Sequence, residues 1–433
     1  MEKINKSKEY LKNTFILLIG KFATQFTSFL LIPLFTRYLL KDDYGWSDLL
    51  QSYIFLLVPI LTLRLDSAIF RFLIDNRKDE KGKKKIISNI IFLLSIITFS
   101  SLLLCLLLIK FIRFKYIYSC LINVIILMIS NVVIQILRGL GKNKEYSISS
   151  IIAGITNITI NILLIIKYGY KANSIFIASS ISNATVIAYV VIITKLYKYL
   201  NIKEINKNTI KQILSYSLPM IPNSLSWWIV SVSDRTIITL FIGAALNGIY
   251  TVSCKFSNIL NSIFGVFNMS WQETVSIHIN DKDKDEFFSK MINRIYMLFS
   301  CISILIIVVL PFVYNILIGK EYLDSYNYIP ILLYANTWYI LSSLLGGIYI
   351  GLKQTKKIAN TTIISAIINI VINILLIHKI GLYAACISTL ISYLVMTVYR
   401  YIDLKKYLNV KVNIKNIIIS TMIFIICYIL YLK

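Results

Sequence analysis

The stretch Asn157–Ile165 reads NITINILLI, and Asn369–Ile377 reads NIVINILLI, so eight of nine positions recur 212 residues later. The same offset pairs Gly139 with Gly351 on the N-terminal side of both stretches. Agreement at one fixed offset indicates a duplicated chain. Fused repeats of hydrophobic helices are a known design of membrane transporters, in which the substrate site lies where the two halves meet.

Composition supports a membrane protein. The chain has 433 residues, of which 57% are hydrophobic and 15% charged, and its mean hydropathy is +0.74. An apolar run of about 20 residues spans a bilayer as a helix. Thirteen such segments are predicted, at residues 14–36, 46–72, 86–109, 116–137, 148–166, 172–194, 213–243, 248–277, 291–318, 329–352, 358–377, 382–399 and 412–432. The longest are expected to tilt, to extend beyond the lipid or to bend at Pro59 or Pro222.

The position of the repeat predicts the architecture. Six predicted helices separate the two copies, and because six is even, both copies enter the membrane in the same direction. We therefore predict an all-α integral membrane protein with two six-helix lobes, at residues 1–200 and 201–411. An additional transmembrane helix at residues 412–433 lies outside the duplication.

The basic residues predict the orientation, because Lys and Arg are retained on the cytoplasmic side. With a cytoplasmic N-terminus, the inward stretches carry 31 of the 45 basic residues and the outward stretches ten. The net charge of +25 therefore follows the inner loops. Anionic membrane lipids are the expected partner of these loops, and nucleic acid is not, since no basic stripe or aromatic platform is present.

Other classes of function lack their sequence features. No GxxxxGK[ST] sequence occurs, and the loops are too short for a nucleotide-binding domain. Six scattered cysteines form no CxxC pair, and there are only two histidines, so no metal site or cofactor is expected. The chain is not expected to be an enzyme.

Charged residues inside the predicted helices are the first candidates for function, because a charge at the bilayer centre costs at least ~2.5 kcal/mol. They are Lys21, Arg64, Asp66, Asp234, Arg235, Lys255 and Glu273. Lys21 and Lys255 could equally extend their long stems to the membrane surface. For Arg64 and Arg235, each close to a carboxylate in sequence, a role in a cavity is favoured.

Polar and aromatic patterns add further candidates. On the eighth predicted helix, six residues recur every three or four positions and therefore form one stripe along the helix, which could line a water-filled cavity. The stripe consists of Lys255, Asn258, Ser262, Gly265, Met269 and Gln272. Trp227 and Trp228 could stack on a sugar or simply pack between helices. The paired asparagines of the repeat are interpreted as hydrogen-bonding partners between helices.

One region resembles a known family. Ser217–Arg235 reads SLPMIPNSLSWWIVSVSDR, and Asn247–Tyr250 reads NGIY, while Tyr44–Trp46 reads YGW in the first lobe. These motifs resemble those of the polysaccharide-biosynthesis flippases of the multidrug/oligosaccharidyl-lipid/polysaccharide exporter superfamily. The resemblance covers essentially the whole chain, although thirteen helices depart from the even number usual in that family.

The resemblance implies a flippase in the bacterial cytoplasmic membrane that moves an undecaprenyl-diphosphate-linked oligosaccharide to the outer leaflet by alternating access. Cationic side chains suit a diphosphate. Arg64 and Lys21 would receive the headgroup from the inside, and Arg235 and Lys255 would hold it towards the outside. The chain would act as a monomer, with a polysaccharide polymerase and glycosyltransferases as candidate protein partners.

Other interpretations stay open at this point. Asp66, Asp234 and Glu273 could couple transport to an ion, or transport could follow the membrane potential or the substrate gradient. A peptidoglycan-precursor flippase would differ in headgroup alone. A cation-coupled multidrug exporter of the same superfamily and a membrane scaffold for glycosyltransferases are the remaining alternatives.

Overall fold

The computed structural model describes Gly20, residues 26–109 and residues 116–431, except for the side chains of residues 108, 109, 222–231, 266 and 355. Every regular element in these ranges is a helix, which confirms the predicted all-α class. The α-helices are α1 Ile32–Tyr38, α2 Lys41–Leu61, α3 Leu65–Asp75, α4 Glu80–Ile109, α5 Ile117–Gly139, α6 Asn143–Ile162, α7 Asn173–Thr194, α8 Lys207–Ser217, α9 Ile221–Ile242, α10 Ala244–His278, α11 Lys284–Leu317, α12 Ile329–Gly351, α13 Thr355–Ile380, α14 Tyr383–Leu404 and α15 Ile414–Tyr431.

Most of the predicted transmembrane segments correspond to long apolar helices. Within the described ranges, nine helices are long and apolar enough to cross a membrane, and the bent pair α2–α3 brings the number to ten. The first of the thirteen predicted segments, at residues 14–36, is described only at Gly20 and from residue 26 onwards. The seventh and eighth correspond to α9 and α10, which are helical but are not among these nine. The chain is thus a multi-pass membrane protein.

The predicted bend near Pro59 is present. The axes of α2 and α3 differ by 50°, and the chain turns where Leu63 and Arg64 adopt φ angles of 51° and 57°. The Thr62 hydroxyl donates to the carbonyl of Val58 over 2.8 Å just before the turn. At Pro222 no interruption falls inside a helix, because this proline lies in the first turn of α9, where its missing N–H is tolerated.

The chain divides into two compact units. The first contains residues 50–228 and the described residues before Phe35, and the second contains residues 35–49 and 229–433. Helix α2 therefore begins in the second unit and ends in the first. The lobe boundaries predicted at residues 200 and 411 stay predictions. The compact units are defined by packing contacts, whereas the predicted lobes are defined by the sequence repeat, so the two sets of boundaries need not coincide.

Each unit has its own apolar core. In the first, fully buried Leu65 and Ile69 of α3 pack with Ile87 of α4, Ile136 of α5 and Ile213 of α8. In the second, a cluster joins helices α9, α10, α12, α13 and α14. Its members include Ile238, Tyr250, Leu332, Ile377 and Ala385.

In each unit, the side chain of one asparagine forms two hydrogen bonds with the backbone of a connecting segment. In the first, the Asn89 amide donates 2.9 Å to the carbonyl of Glu204, and its oxygen accepts 2.8 Å from the N–H of Asn206. In the second unit, Asn293 makes the same two bonds, 2.9 Å to the carbonyl of Lys411 and 2.8 Å from the N–H of Asn413. We call these two arrangements the asparagine clasps.

The second asparagine clasp lies at the start of the additional C-terminal helix. Asn206 directly precedes α8, and Asn413 directly precedes α15. Each side chain also accepts from a backbone N–H two residues further on, at 2.8 and 3.0 Å, as a helix N-cap does. The start of α15 therefore repeats the start of α8, although its own sequence lies outside the duplication recognised above.

Candidate functional site

Arg64 lies at the break between α2 and α3. Its guanidinium lies 3.4 Å from a carboxylate oxygen of Asp66 and donates 2.5 Å to the hydroxyl of Ser67. The side chains of Arg64 and Asp66 are 24% and 23% exposed, so both are accessible to water or a ligand. The structure thus brings together the two charges that the sequence placed two residues apart. It also favours the interpretation that Asp66 neutralises Arg64, since Arg71 pairs with Asp75 instead.

Arg235 has a partner that the sequence did not indicate. Its Nε donates to a carboxylate oxygen of Asp48 over 2.6 Å, and both residues belong to the second unit. Their side chains are 17% and 14% exposed. Lys255 of α10 lies within electrostatic range of both groups. Arg235 and Lys255, both predicted substrate ligands, and the Asp48 carboxylate are therefore electrostatically coupled charges of one unit.

Asp234, the neighbour of Arg235 in α9, is held by neutral hydrogen-bond donors. Asn373 of α13 donates over 2.8 Å, Thr389 of α14 over 3.0 Å and Tyr250 of α10 over 3.1 Å. Rotating the side-chain amide of Asn369 by 180° places its nitrogen 3.0 Å from the same carboxylate, where it acts as a fourth donor. Four helices thus converge on one partly buried acidic group.

The repeated asparagines differ between the units. Asn373 and Asn369 of the second copy bond between helices, which confirms the prediction there. In the first copy, Asn161 donates to the backbone and side-chain oxygens of Asn157 within α6. The carboxylate explains the difference, because position 234 is Asp and the residue 212 positions earlier is Phe22.

The polar stripe on α10 lies on the accessible side of its helix. All six members are at least partly exposed, and Asn258 belongs to the more exposed ones. The opposite face is buried, with Val252, Phe256 and Leu260 at 3% exposure or less. An accessible polar face agrees with the predicted cavity lining, and contact with water stays a prediction.

Three predicted ligands cannot be assigned a geometry. Lys21 lies outside the described residues, and so do the side chains of Trp227 and Trp228, although their backbone belongs to α9. Glu273 is described and exposed on α10. Its proposed part in ion coupling stays a prediction.

Arg400 was counted as a loop residue from the sequence, and this was wrong: it is only 4% exposed. Its Nε donates to Thr361 over 2.9 Å, and Nη1 donates to the backbone and hydroxyl oxygens of Ser342 at 2.9 and 3.1 Å. Nη2 donates to Thr362 at 3.1 Å and to the Ile358 carbonyl at 3.4 Å. All five N–H groups are thus directed at neutral acceptors on α12 and α13, which identifies a structural arginine.

Solved structures place this arrangement of helices in a known class. An inward-facing multidrug resistance MATE family transporter of the MOP superfamily superposes with a TM-score of 0.70 at 14% identity, covering 88% of this chain and 96% of the other. The lipid II flippase MurJ in an inward closed conformation gives 0.68 at 16% identity, with 97% and 98% covered. The outward-facing MATE transporter gives 0.61 at 14% identity, with 92% and 94% covered. The fold is that of a MOP-superfamily transporter.

The sequence narrows this class to a family. Residues 10–272 match the family model described as polysaccharide biosynthesis protein, so the chain belongs to that family. A search of the curated proteins gives no match. The fold is shared with transporters and with a lipid flippase.

Proposed function

We propose that the chain is a flippase that moves a polyprenyl-diphosphate-linked oligosaccharide from the inner to the outer leaflet of the bacterial cytoplasmic membrane. Family membership and the MOP fold support a flippase. The observation that favours an anionic lipid is the cluster of Arg235 and Lys255 around Asp48. A diphosphate carries more charge than one carboxylate and offers a guanidinium several acceptor oxygens.

Each cation has a proposed task. Arg64, at the break of a transmembrane helix, receives the diphosphate together with Lys21 when the site faces the cytoplasm. Broken helices place backbone and side-chain groups inside a membrane where ligands bind. Arg235 and Lys255 then hold the headgroup when the site faces outwards, and the lipid tail stays in the bilayer. Trp227, Trp228 and Asn258 are proposed contacts for the sugars.

Asp234 is the proposed ion-coupling residue with the most structural support. The Thr389 hydroxyl lies 3.0 Å and the Asn373 amide nitrogen 2.8 Å from its carboxylate, and the Asn369 amide lies beside them. The amide oxygen of Asn373 is buried with no hydrogen-bond partner among the described residues. Rotating the Asn373 amide would direct its oxygen instead of its N–H group at the carboxylate. An Asp with amide and hydroxyl oxygens suits a hard cation. Asp66 and Glu273 stay the other two candidates.

A comparison of substrates in proteoliposomes tests the proposed function. Leaflet translocation is measured for three probes: a labelled undecaprenyl-diphosphate oligosaccharide, labelled lipid II and an organic cation. We expect movement of the oligosaccharide lipid above the level in protein-free liposomes. Selective movement of lipid II would indicate the peptidoglycan-precursor flippase instead, and efflux of the cation alone would indicate the multidrug exporter. Absence of all three, with glycosyltransferases retained by the protein, would indicate a scaffold.

A further inference from the structure

Residues 35–49, which we call the crossover segment, pack in the second unit although the chain on both sides of them belongs to the first. The segment contains the end of α1 and the beginning of α2. On the orientation predicted from the basic loops, it lies at the outer face of the membrane. Helix α2 therefore continues from the crossover segment into the first unit.

Glycines form the closest of these contacts. A Cβ on Gly45 would lie 1.8 Å from the carbonyl oxygen of Ala244, and one on Gly248 would lie 2.3 Å from that of Lys41. A Cβ on Gly319 would lie 2.0 Å from the carbonyl oxygen of Thr36. The obstacle is backbone in all three cases, which cannot move aside as a side chain can. Only glycine allows the crossover segment to lie in this position.

The contacts beside the glycines are hydrogen bonds to backbone groups. Asn247 donates 2.8 Å to the carbonyl of Gly45, and the Tyr322 hydroxyl donates 3.0 Å to that of Leu39. The N–H of Gly319 donates 3.0 Å to the Thr36 hydroxyl. Water can replace such bonds at a small net cost of about 1 kcal/mol each. We call the contact of the crossover segment with residues 244–248 and 319–322 the seam. Because its hydrogen bonds can be replaced by water, the seam can open and close.

The ion pair between Asp48 and Arg235 differs from the buried arginine of the same unit. Arg400 is 4% exposed and uses every N–H on neutral acceptors, whereas the Arg235 side chain is 17% exposed and shares its charge with a carboxylate. A carboxylate on a partly exposed guanidinium can be displaced by a stronger anion such as a phosphate.

We infer that Asp48 competes with the substrate diphosphate for Arg235. While Asp48 is paired with Arg235, the crossover segment closes the outer side of the site. The diphosphate opens the outer side by replacing Asp48 on Arg235. This inference rests on the proposed function. Opening without substrate would break the ion pair between Arg235 and Asp48 with no anion taking the place of the carboxylate, so it is disfavoured. With substrate present the guanidinium keeps an anionic partner, and the diphosphate therefore favours the open state by its differential affinity. After release of the lipid, Asp48 returns to Arg235.

A cross-link across the seam tests whether it opens. Lys41 of the crossover segment lies 3.9 Å from Asp324, which is 70% exposed, so cysteines at these two positions can be joined by a short reducible bifunctional reagent. The variant Lys41→Cys/Asp324→Cys is prepared without the six natural cysteines. We expect cross-linking to reduce translocation of the diphosphate lipid at least about tenfold, with recovery on reduction. Full translocation by the cross-linked protein would overturn the inference.

Cross-linking yield also reports the closed fraction without any transport assay. Gly45→Ala should lower the yield about tenfold or more, because the added methyl group collides with the Ala244 carbonyl. Asp48→Asn should lower it by a similar factor through loss of a charge-assisted hydrogen bond, and the wild-type yield should fall when undecaprenyl diphosphate is added. Asp42→Asn, which removes an exposed carboxylate from the same helix, serves as the control and should keep the wild-type yield.

The two proposals fail in different ways. Unchanged yields in both Gly45→Ala and Asp48→Asn would contradict the seam, whatever the protein transports. A yield that responds to both substitutions but not to undecaprenyl diphosphate would contradict the competition between Asp48 and the substrate. If the protein with free thiols moves no diphosphate lipid, the proposed function fails, and the yields of these variants still decide whether the seam opens.

Discussion

The guanidinium of Arg235 and the carboxylate of Asp48 lie 2.6 Å apart, although 187 residues separate them in the chain. The pair joins the start of α2 to the middle of α9 within one compact unit. The guanidinium of Arg235 is therefore already paired with a carboxylate of the protein. A substrate anion must compete with that carboxylate, so the charge state of position 48 is expected to set how readily the site accepts a diphosphate.

Arg400 is expected to contribute to stability rather than to substrate binding. Arg400→Met leaves the acceptors on Ser342, Thr361 and Thr362 without their donor, which should reduce the free energy of unfolding by about 3 kcal/mol. The thermal unfolding midpoint of the purified protein in detergent should fall clearly. Arg294→Met, at an exposed arginine, is the control and should leave the midpoint within about a degree. Equal midpoints for the two variants would show that the five hydrogen bonds contribute nothing.

Asp234 is expected to link translocation to a cation. If its carboxylate binds the coupling ion, Asp234→Asn should make the translocation rate insensitive to a Na⁺ or proton gradient to which the wild type responds. Initial rates with and without each gradient measure this. Glu273→Gln, at an exposed carboxylate that is the competing candidate, is measured in parallel and is expected to keep the response. A response retained in Asp234→Asn but lost in Glu273→Gln would transfer the coupling role to Glu273.

The asparagine clasps are expected to stabilise both units, with a larger effect in the first. Asn89 is fully buried, whereas Asn293 is partly exposed, so water can replace the lost bonds only at Asn293. Asn89→Ala should cost about 2 kcal/mol and Asn293→Ala about 1 kcal/mol in unfolding free energy. Asn409→Ala removes an exposed asparagine from the same connecting segment. A loss for Asn409→Ala as large as that for Asn293→Ala would mean that the clasp itself is not the cause.

The C-terminus is expected on the outer side of the membrane. Helix α15 begins next to a clasp, as α8 does, and its 18 residues are apolar enough to span the bilayer. With the start of α15 at the basic inner face, the last residue must lie outside. A periplasmic alkaline phosphatase fused after Lys433 should be active and a green fluorescent protein dark. The reverse pattern would place the C-terminus inside.

The sequence predicted the helical architecture because it depends on local apolar runs and on the duplication, both of which can be read along the chain. The break near Pro59 was predictable for the same reason. The partners of Arg235 and Asp234 were not, since Asp48 and Thr389 lie far away in sequence and follow no periodic pattern. Arg400 was misassigned because its position at the end of an apolar segment suggested a loop, while packing of three helices buries it.

Translocation by Arg235 variants tests the central claim most directly. Arg235→Gln alone removes the ion pair between Arg235 and Asp48, so the double variant Asp48→Asn/Arg235→Gln is measured beside it and is expected to fold normally. Both should lose about 100-fold in the initial rate of undecaprenyl-diphosphate oligosaccharide translocation into the outer leaflet of proteoliposomes, as expected for a lost charge-assisted contact to phosphate. Arg294→Gln should keep the wild-type rate. A folded double variant that moves the lipid as fast as the wild type would contradict the claim that Arg235 carries the diphosphate.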